Sequence, residues 1–422
     1  MTPRRAKSAC GLDFGTSNSG VALVTPQGVT LAHVEDGNTT VPSAIFFPSE
    51  AADHAVYGRA AMREYLDGTH GRLMRSLKSL LGSRLVHERT AVGGRSLAFT
   101  DIVTLYLRML RDRAEQHAGR GLSSVVLGRP VRFVDDDAER DADAQATLGT
   151  CARAAGFRDV EFQLEPIAAA FDYERGLASE ELVLVVDVGG GTADFTVVRV
   201  GPRLRERPDR AADVLANDGI HVAGTDFDTR LHLAWVMPAL GYGSTSTKGL
   251  AMPSPLFFDL STWHRINLLY GAATREVLRE LREFFVDARM YARLRKVVND
   301  ALGHELLART ETAKIEMSHA AHATIDLSHV EAGLAVDVAR AELQALLAAL
   351  LARLVTMGTD TVRAAGLSPD AISTVYFTGG SSGMTALREA FAPAFAYSRM
   401  AVGDLFGSVV SGLGIDAARR FP

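Results

Sequence analysis

Residues 182–198, Leu-Val-Leu-Val-Val-Asp-Val-Gly-Gly-Gly-Thr-Ala-Asp-Phe-Thr-Val-Val, form an apolar run that breaks at one acid and turns over three consecutive glycines. Leu182 to Val186 are β-formers without a polar interruption, as expected of a strand buried on both faces, and Phe195, Val197 and Val198 resume strand character beyond the turn. Gly189, Gly190 and Gly191 remove every Cβ from the bend, which predicts backbone at φ > 0 with its N–H groups within reach of an anion, most simply phosphate. Asp187 and Asp194 flank the turn. A carboxylate beside a phosphate cradle needs a cation between them, and hydrated Mg²⁺ suits that place. An ordinary glycine-rich hairpin is the plain alternative, but three adjacent glycines cost about 1 kcal/mol each in ordering entropy relative to alanine.

The same design occurs near the start of the chain. In Cys10-Gly-Leu-Asp-Phe-Gly-Thr-Ser-Asn-Ser-Gly-Val-Ala-Leu-Val24, Asp13 aligns with Asp187 and Gly15 with Gly189. Two strand-turn-strand phosphate grips in two halves of one chain predict a duplicated fold that closes on a nucleotide from both sides.

These two segments, Gly11 to Ser19 and Val185 to Asp194, resemble the phosphate motifs of the heat shock protein 70 (DnaK-type) family, within the wider group of actin-like ATPases. Matching segments follow in family order to the end of the chain. The resemblance covers the ATPase part only and, with the long insertion in the second half, is similar to the YegD-like branch that lacks a peptide-binding domain. It implies an α/β fold: a two-lobed actin-like ATPase of duplicated ribonuclease-H-like domains with a nucleotide cleft between the lobes. The expected division is lobe I over 1–180, lobe II over 181–405 with an inserted lid subdomain at about 228–320, and a helix over 406–422 between lobes.

Bulk properties agree with such a chain and exclude others. A length of 422 residues, 47% hydrophobic and 23% charged, suits two buried cores. A net charge of −5 without long basic runs argues against nucleic acid as a partner. Cys10 and Cys151 lack metal-ligand spacing and are too few for a disulfide framework, so they read as core residues in a reducing, cytoplasmic setting. Met1 to Lys7 reads as a short disordered tail, not a signal peptide. The most apolar helical stretch, Leu343 to Val355, is broken by Gln344 and Arg353 and is too short to span a bilayer, so no membrane is expected.

Along the first half, Val29 to Val34 and Ala44 to Phe47 read as strands, with turn chemistry at Asp36 to Pro42 between them. Leu73, Leu77 and Leu80 recur at helical spacing, which predicts a helix over 73–81 that stops at Gly82. Lys78 on it is a solvated lysine on local grounds; the resemblance implies a place near the γ-phosphate, orienting the attacking water. Ile102 to Leu110 belongs to a helix running towards Gly119, and Ser124 to Phe133 contains a strand leaving through Gly-Arg-Pro130, which matches the family's interlobe proline. Asp135 to Asp137 precede a helix ending near Gly156, where acids complement the helix dipole. Glu165 lies at a strand-to-helix junction with Pro166 suited to the first helical position. Locally Glu165 is a helix-start acid; the resemblance implies water around the metal, or proton transfer.

In the second half, Gly219 to Asp228 resembles the family's Gly-Gly-x-Asp-Phe-Asp loop, with Ala223 in place of the first glycine and Gly224 retained. The 83 positions from Asp228 to Glu311 contain an insertion: loop composition at Gly241 to Gly249, then Thr274 to Val298 with charge and leucine at helical spacing, an extended helix pair. Glu311, Lys314, Ile315 and Ser318 share one helix face. Read locally, that is an amphipathic helix with exposed charges. In the family this face holds adenosine, and the stacking arginine is Ile315 here, which removes a cation–π contribution of about 0.5–2 kcal/mol. Thr374 to Gly383 is a strand ending in Gly379, Gly380 and Ser381, which match the adenosine motif, while Met384-Thr385 replaces the family's Ile-Pro before the next helix. Asp404 to Leu413 resembles the last helix.

The resemblance therefore implies ATP/ADP and Mg²⁺ as cofactors. Gly15, Thr16, Ser17, Gly189, Gly190, Gly191 and Thr192 would grip phosphates, Asp13 and Asp187 would hold Mg²⁺ through water, and Lys78, Glu165 and Asp194 would act on the attacking water. Nucleotide is the implied ligand, with client or co-chaperone proteins reached through the inserted lid. The expected function is a nucleotide-driven conformational switch of chaperone type. Two other classes stay open: a small-molecule kinase on the same fold, and a filament-forming or regulatory nucleotide-binding protein.

Overall fold

The structure is a computed structural model and describes residues 8–49, 54–67, 69–92, 95–134, 137–205, 207, 210–405 and 407–421. The tail at Met1 to Lys7 and the acids Asp135 and Asp136 lie outside them. The chain forms two compact units: one holds the chain up to Ala223, Arg353–Gly383 and the chain from Leu387 onward, the other Gly224–Ala352 with Met384–Ala386.

The first unit contains two sheets of the same design. In the first, Ala9–Phe14 and Asn18–Thr25 form the antiparallel hairpin, Gly28–Leu31 extends it antiparallel, and Ser124–Arg129 and Asp159–Leu164 add parallel strands on the other side. In the second, Glu181–Val188 and Ala193–Val200 form the hairpin, Val214–Ile220 extends it antiparallel, and Thr374–Thr378 and Arg399–Val402 add parallel strands. Chain order and strand direction of these five strands therefore match, and the first sheet adds Thr40–Pro42 antiparallel to Asn18–Thr25. This is the duplication that the paired hairpins predict.

Each central strand is apolar because both faces are covered. Leu12, Val125 and Leu127 face a core closed by the helices Phe99–Ala118 and Ala138–Ala154, with Tyr106, Leu110 and Leu148 fully buried. A second core joins the two sheets: Val126 from one and Val183, Val185 and Val198 from the other meet Ala168–Ala170 and Val409, Leu413 and Ala417 of the helices Glu165–Glu174 and Ser408–Arg420. Those two helices cross at backbone contact, since a Cβ on Gly412 would overlap the backbone of Ala168. Glycine at 412 is thus a steric requirement of the crossing.

Three expectations need correction. Leu73 does not start a helix: Gly71–Arg75 is a strand paired antiparallel with Ala44–Pro48, Ser76 turns through left-handed φ of 57°, and only Leu77–Leu80 follow as one 3₁₀ turn. Leu73 stands opposite Phe46 in that pairing and is 2% exposed, so tertiary pairing overrides a leucine spacing too short to discriminate. The strand expected over 29–34 is only Gly28–Leu31. Pro166 occupies the second helical position, with Glu165 at the first.

Other readings hold. Gly119 caps its helix at φ 65°, Asp137 caps the next by accepting from the Arg140 N–H, and Thr385 starts a helix despite the missing proline. The expectation that the apolar stretch is too short to span a bilayer needs correction. Arg340–Ala364 is long and apolar enough by length and composition to cross a membrane, yet it buries Leu343, Leu347, Leu351, Leu354 and Val362, the stripe of a helix packed on a protein core. Cys10 and Cys151 are buried free thiols, and burial pushes Cys10 up to about 12.

In the second unit the insertion supplies the helices Ala272–Leu281 and Ala288–Asn299, and Gly224–Trp235 lies against Gly303–Glu316. His232 is fully buried there, its Nδ1 2.7 Å from Thr310 Oγ1 and its Nε2 without a partner among the described residues. Burial pushes its imidazole down to about 3. An unfolded chain with an ordinary histidine binds a proton below about pH 6.5 that the folded one refuses, so this stability is complete above that pH and declines as pH falls, by about 1.4 kcal/mol per unit. Urea titrations followed through Trp235 and Trp263, both in this unit, are expected to lose about 2 kcal/mol more between pH 6.5 and pH 5 in the natural chain than in His232→Phe. Equal losses would show that His232 does not carry the effect.

Candidate active site

The two hairpins bring their turns together in the first unit. A Cβ on Gly190 would overlap Ser17 Oγ, and one on Gly191 would lie 3.1 Å from Thr16 Oγ1 and 3.3 Å from Ser79 Oγ. None of Gly189, Gly190 and Gly191 has positive φ, contrary to the expectation. These glycines are required by the close approach of the facing turn, not by a left-handed bend. Gly379 does adopt left-handed backbone, at φ 83°, and its missing Cβ leaves room for Asp187 Oδ1 and the Val188 carbonyl. Beside it, Ser381 Oγ donates to the Gly189 carbonyl at 2.9 Å, tying the Gly379–Ser381 loop to the second turn.

Beneath the turns lies a buried cluster of acids. Asp187 stands directly opposite Asp194 in the second hairpin, Asp13 occupies the matching place in the first, and Glu165 reaches in from its helix start to take an ion pair from Lys78. Lys78 is 6% exposed, so the solvated-lysine reading does not apply. Burial, then Glu165, raises Asp13 to about 7, and the same two causes raise Asp194 to about 7 and Asp187 well above the usual carboxylate range. For Lys78 burial opposes the charge, but Glu165 and then Asp13 outweigh it and raise its pKa. One ammonium faces four carboxylates, and the site therefore has room for added positive charge.

The donor set says how such a cation would be held. Asp13 Oδ1 is buried without a hydrogen-bond partner, whereas no three His, Cys, Asp or Glu side chains among the described residues come close enough to ligate an ion together. Few direct ligands and hard oxygen donors fit Mg²⁺, which retains most of its waters, better than a dehydrated ion in an all-protein cage. Asp194 is held differently: its Oδ1 accepts from the Val131 N–H at 2.7 Å, and Thr192 also bonds to it.

Several supports had no signature in the sequence. Ser43, 1% exposed, donates its N–H to the Ser17 carbonyl at 2.8 Å and its Oγ to the Gly15 carbonyl at 2.6 Å, and lies 2.8 Å from Ser19 Oγ. It fixes the first turn from outside both strands of the hairpin. Val131 and Ser79 likewise carry no local signature. A Thr-Val-Pro-Ser segment after a turn is the only cue for Ser43, and it fits any strand start.

Gly224, Glu311, Lys314, Ile315 and Ser318 belong to the second unit. The helix ends at Glu316, so Ser318 lies just past it, not on it. Nor is Lys314 an exposed charge: it is 8% exposed and its Nζ pairs with Asp228 Oδ1 at 2.6 Å. Ile315 on the same helix is 58% exposed, an uncovered apolar side chain.

Two matching sheets, each opening with a strand-turn-strand hairpin, define the actin-like ATPase fold. A family model described as Hsp70 protein matches residues 9–237 and 279–401, and the chain belongs to the Hsp70 family. The chaperone protein DnaK of Ureaplasma urealyticum is 29% identical over 232 residues, 54% of this chain and 35% of that protein. A chaperone protein HscA homolog of Laribacter hongkongensis is 31% identical over 257 residues, 57% of this chain and 39% of that protein. The matched region thus spans little more than a third of either relative. The interval between the two matched blocks falls in the insertion.

Proposed function

We propose that this chain binds ATP with Mg²⁺, hydrolyses it to ADP and phosphate, and uses the nucleotide state as a conformational switch of chaperone type. The observation that carries this reading is the meeting of two glycine turns over a buried cluster of four carboxylates and one lysine. Backbone N–H groups and the hydroxyls of Thr16, Ser17 and Thr192 would grip phosphate oxygens, with Gly15 and Gly189 to Gly191 allowing the approach. Asp13 and Asp187 would hold Mg²⁺ through water. When bound, the ion would neutralise phosphate charge as bond cleavage proceeds.

Lys78, paired with Glu165, would orient the attacking water, and Asp194, pinned by the Val131 N–H, would accept its hydrogen bond and steer it in line. The Gly379–Ser381 loop would lie along the adenosine, as would Glu311, Lys314, Ile315 and Ser318. Ile315 in place of an arginine would weaken adenine binding by roughly 0.5–2 kcal/mol. Client or co-chaperone proteins are the proposed partners, and two buried free cysteines suit a reducing, cytoplasmic setting.

Single-turnover phosphate release from ATP tests the reaction. Release of inorganic phosphate by the chain alone is expected. ADP formation that depends on an added metabolite hydroxyl would instead make this a kinase.

A further inference from the structure

On the first unit, away from the hairpin turns, the strands Asp159–Leu164 and Val214–Ile220 and the helices Glu165–Glu174 and Ser408–Arg420 border a groove of about 820 Å³. Its apolar wall is Ile167, Phe171 and Val214, and three arginines line it. Two of them are neutralised within the protein. Arg210 pairs with Glu174 at 2.7 Å and Asp213 at 2.6 Å, and Arg420 pairs with Glu161 at 3.0 Å and Asp416 at 2.8 Å. These pairs also account for both acids of the lining.

Arg419 is the exception. Its guanidinium lies 4.6 Å from the ring centre of Phe171, which also carries Arg210 at 5.4 Å, and Nη2 donates to the Arg205 carbonyl at 3.0 Å. Nη1 is buried with no hydrogen-bond partner, and among the described residues Arg419 has no carboxylate in ion-pair contact. Burial, then the neighbouring Arg210, lowers its pKa. A buried charged donor left unmatched is destabilising, and the described residues supply nothing to match it. A groove of this volume has the size of a small-molecule site, and an apolar wall beside one unmatched cation defines an amphiphilic anion.

We propose that this groove binds a small organic oxyanion, a carboxylate or phosphate monoester on an apolar body, with Arg419 as its charge partner and Ile167, Phe171 and Val214 against the body. The site shares no residue with the hairpin turns and does not depend on nucleotide binding. Asn217, exposed on the strand that borders the groove, offers a place to alter its charge without disturbing the core.

Calorimetric titrations of the full chain with phenyl phosphate and with benzoate, against uncharged benzyl alcohol, test this. At least one anion is expected to bind saturably and at least about tenfold more tightly than the alcohol, and the tighter of the two identifies the headgroup. Arg419→Met and Asn217→Asp should each weaken that binding about tenfold, with Arg419→Lys intermediate. Because Arg419→Met also loses the contact with Phe171, Asn217→Asp guards against a loss caused by unfolding. Absence of saturable binding of both anions, equal binding of the alcohol, or unchanged affinity in both Arg419→Met and Asn217→Asp would overturn the proposal.

Discussion

Asp194→Asn is expected to slow single-turnover ATP hydrolysis by about 10²–10³-fold while changing ATP affinity by less than about threefold. The carboxylate is buried at 2% exposure, and its environment was built to hold an oxygen in place: the Val131 N–H at 2.7 Å on one side and Thr192 on the other. Asparagine keeps the shape and can still present its carbonyl oxygen to Val131, so the hairpin should stay folded. What it loses is the basicity that the proposed reaction would direct at the attacking water. Lys78→Ala should also remove most hydrolysis, but it strands Glu165 in a buried site without its ion-pair partner, which costs stability as well. A stopped assay for phosphate beside a binding titration separates the two effects. Hydrolysis at the natural rate in Asp194→Asn would remove Asp194 from the reaction.

Gly190→Val is expected to weaken ATP binding by about 100-fold with little change in overall stability. A Cβ at this position overlaps Ser17 Oγ, and the branched side chain cannot be accommodated by rotating one hydroxyl, so the two turns must separate. Phosphate groups bridged by both turns would lose one set of N–H donors. The turn is half-exposed, and the sheets below are held by their own cores, which is why the fold should survive. Calorimetry with ATP and a thermal melt of the same variant give the two numbers. Unchanged affinity would mean that the turns need not be this close to hold nucleotide.

The two hairpins were legible in the sequence because their chemistry is local: an apolar strand, an aspartate, glycines, then a second strand. Their repetition made the duplicated sheet legible too. The purpose of the glycines was not, since steric closeness to Ser17 and Thr16 depends on a segment more than 170 positions away and ordinary φ values leave no local trace. For the same reason Ser43 and Val131 were invisible as supports of the Gly15–Ser17 turn and of Asp194. Leu73 misled because its spacing satisfies a helix while its pairing with Phe46, across the sheet, decides for a strand. Lys314 looked like a solvated charge until Asp228, from another helix, proved to be its partner. Contacts within a turn can be read from neighbouring residues; contacts between elements need the fold.

Titration of the natural chain with ATP, with Mg²⁺ and again with the metal chelated, tests the central claim most directly. The account predicts one-to-one binding that weakens at least about tenfold when the metal is removed, since four carboxylates then face the phosphates with only Lys78 to offset them. No binding of ATP, or equal binding with and without Mg²⁺, would contradict it.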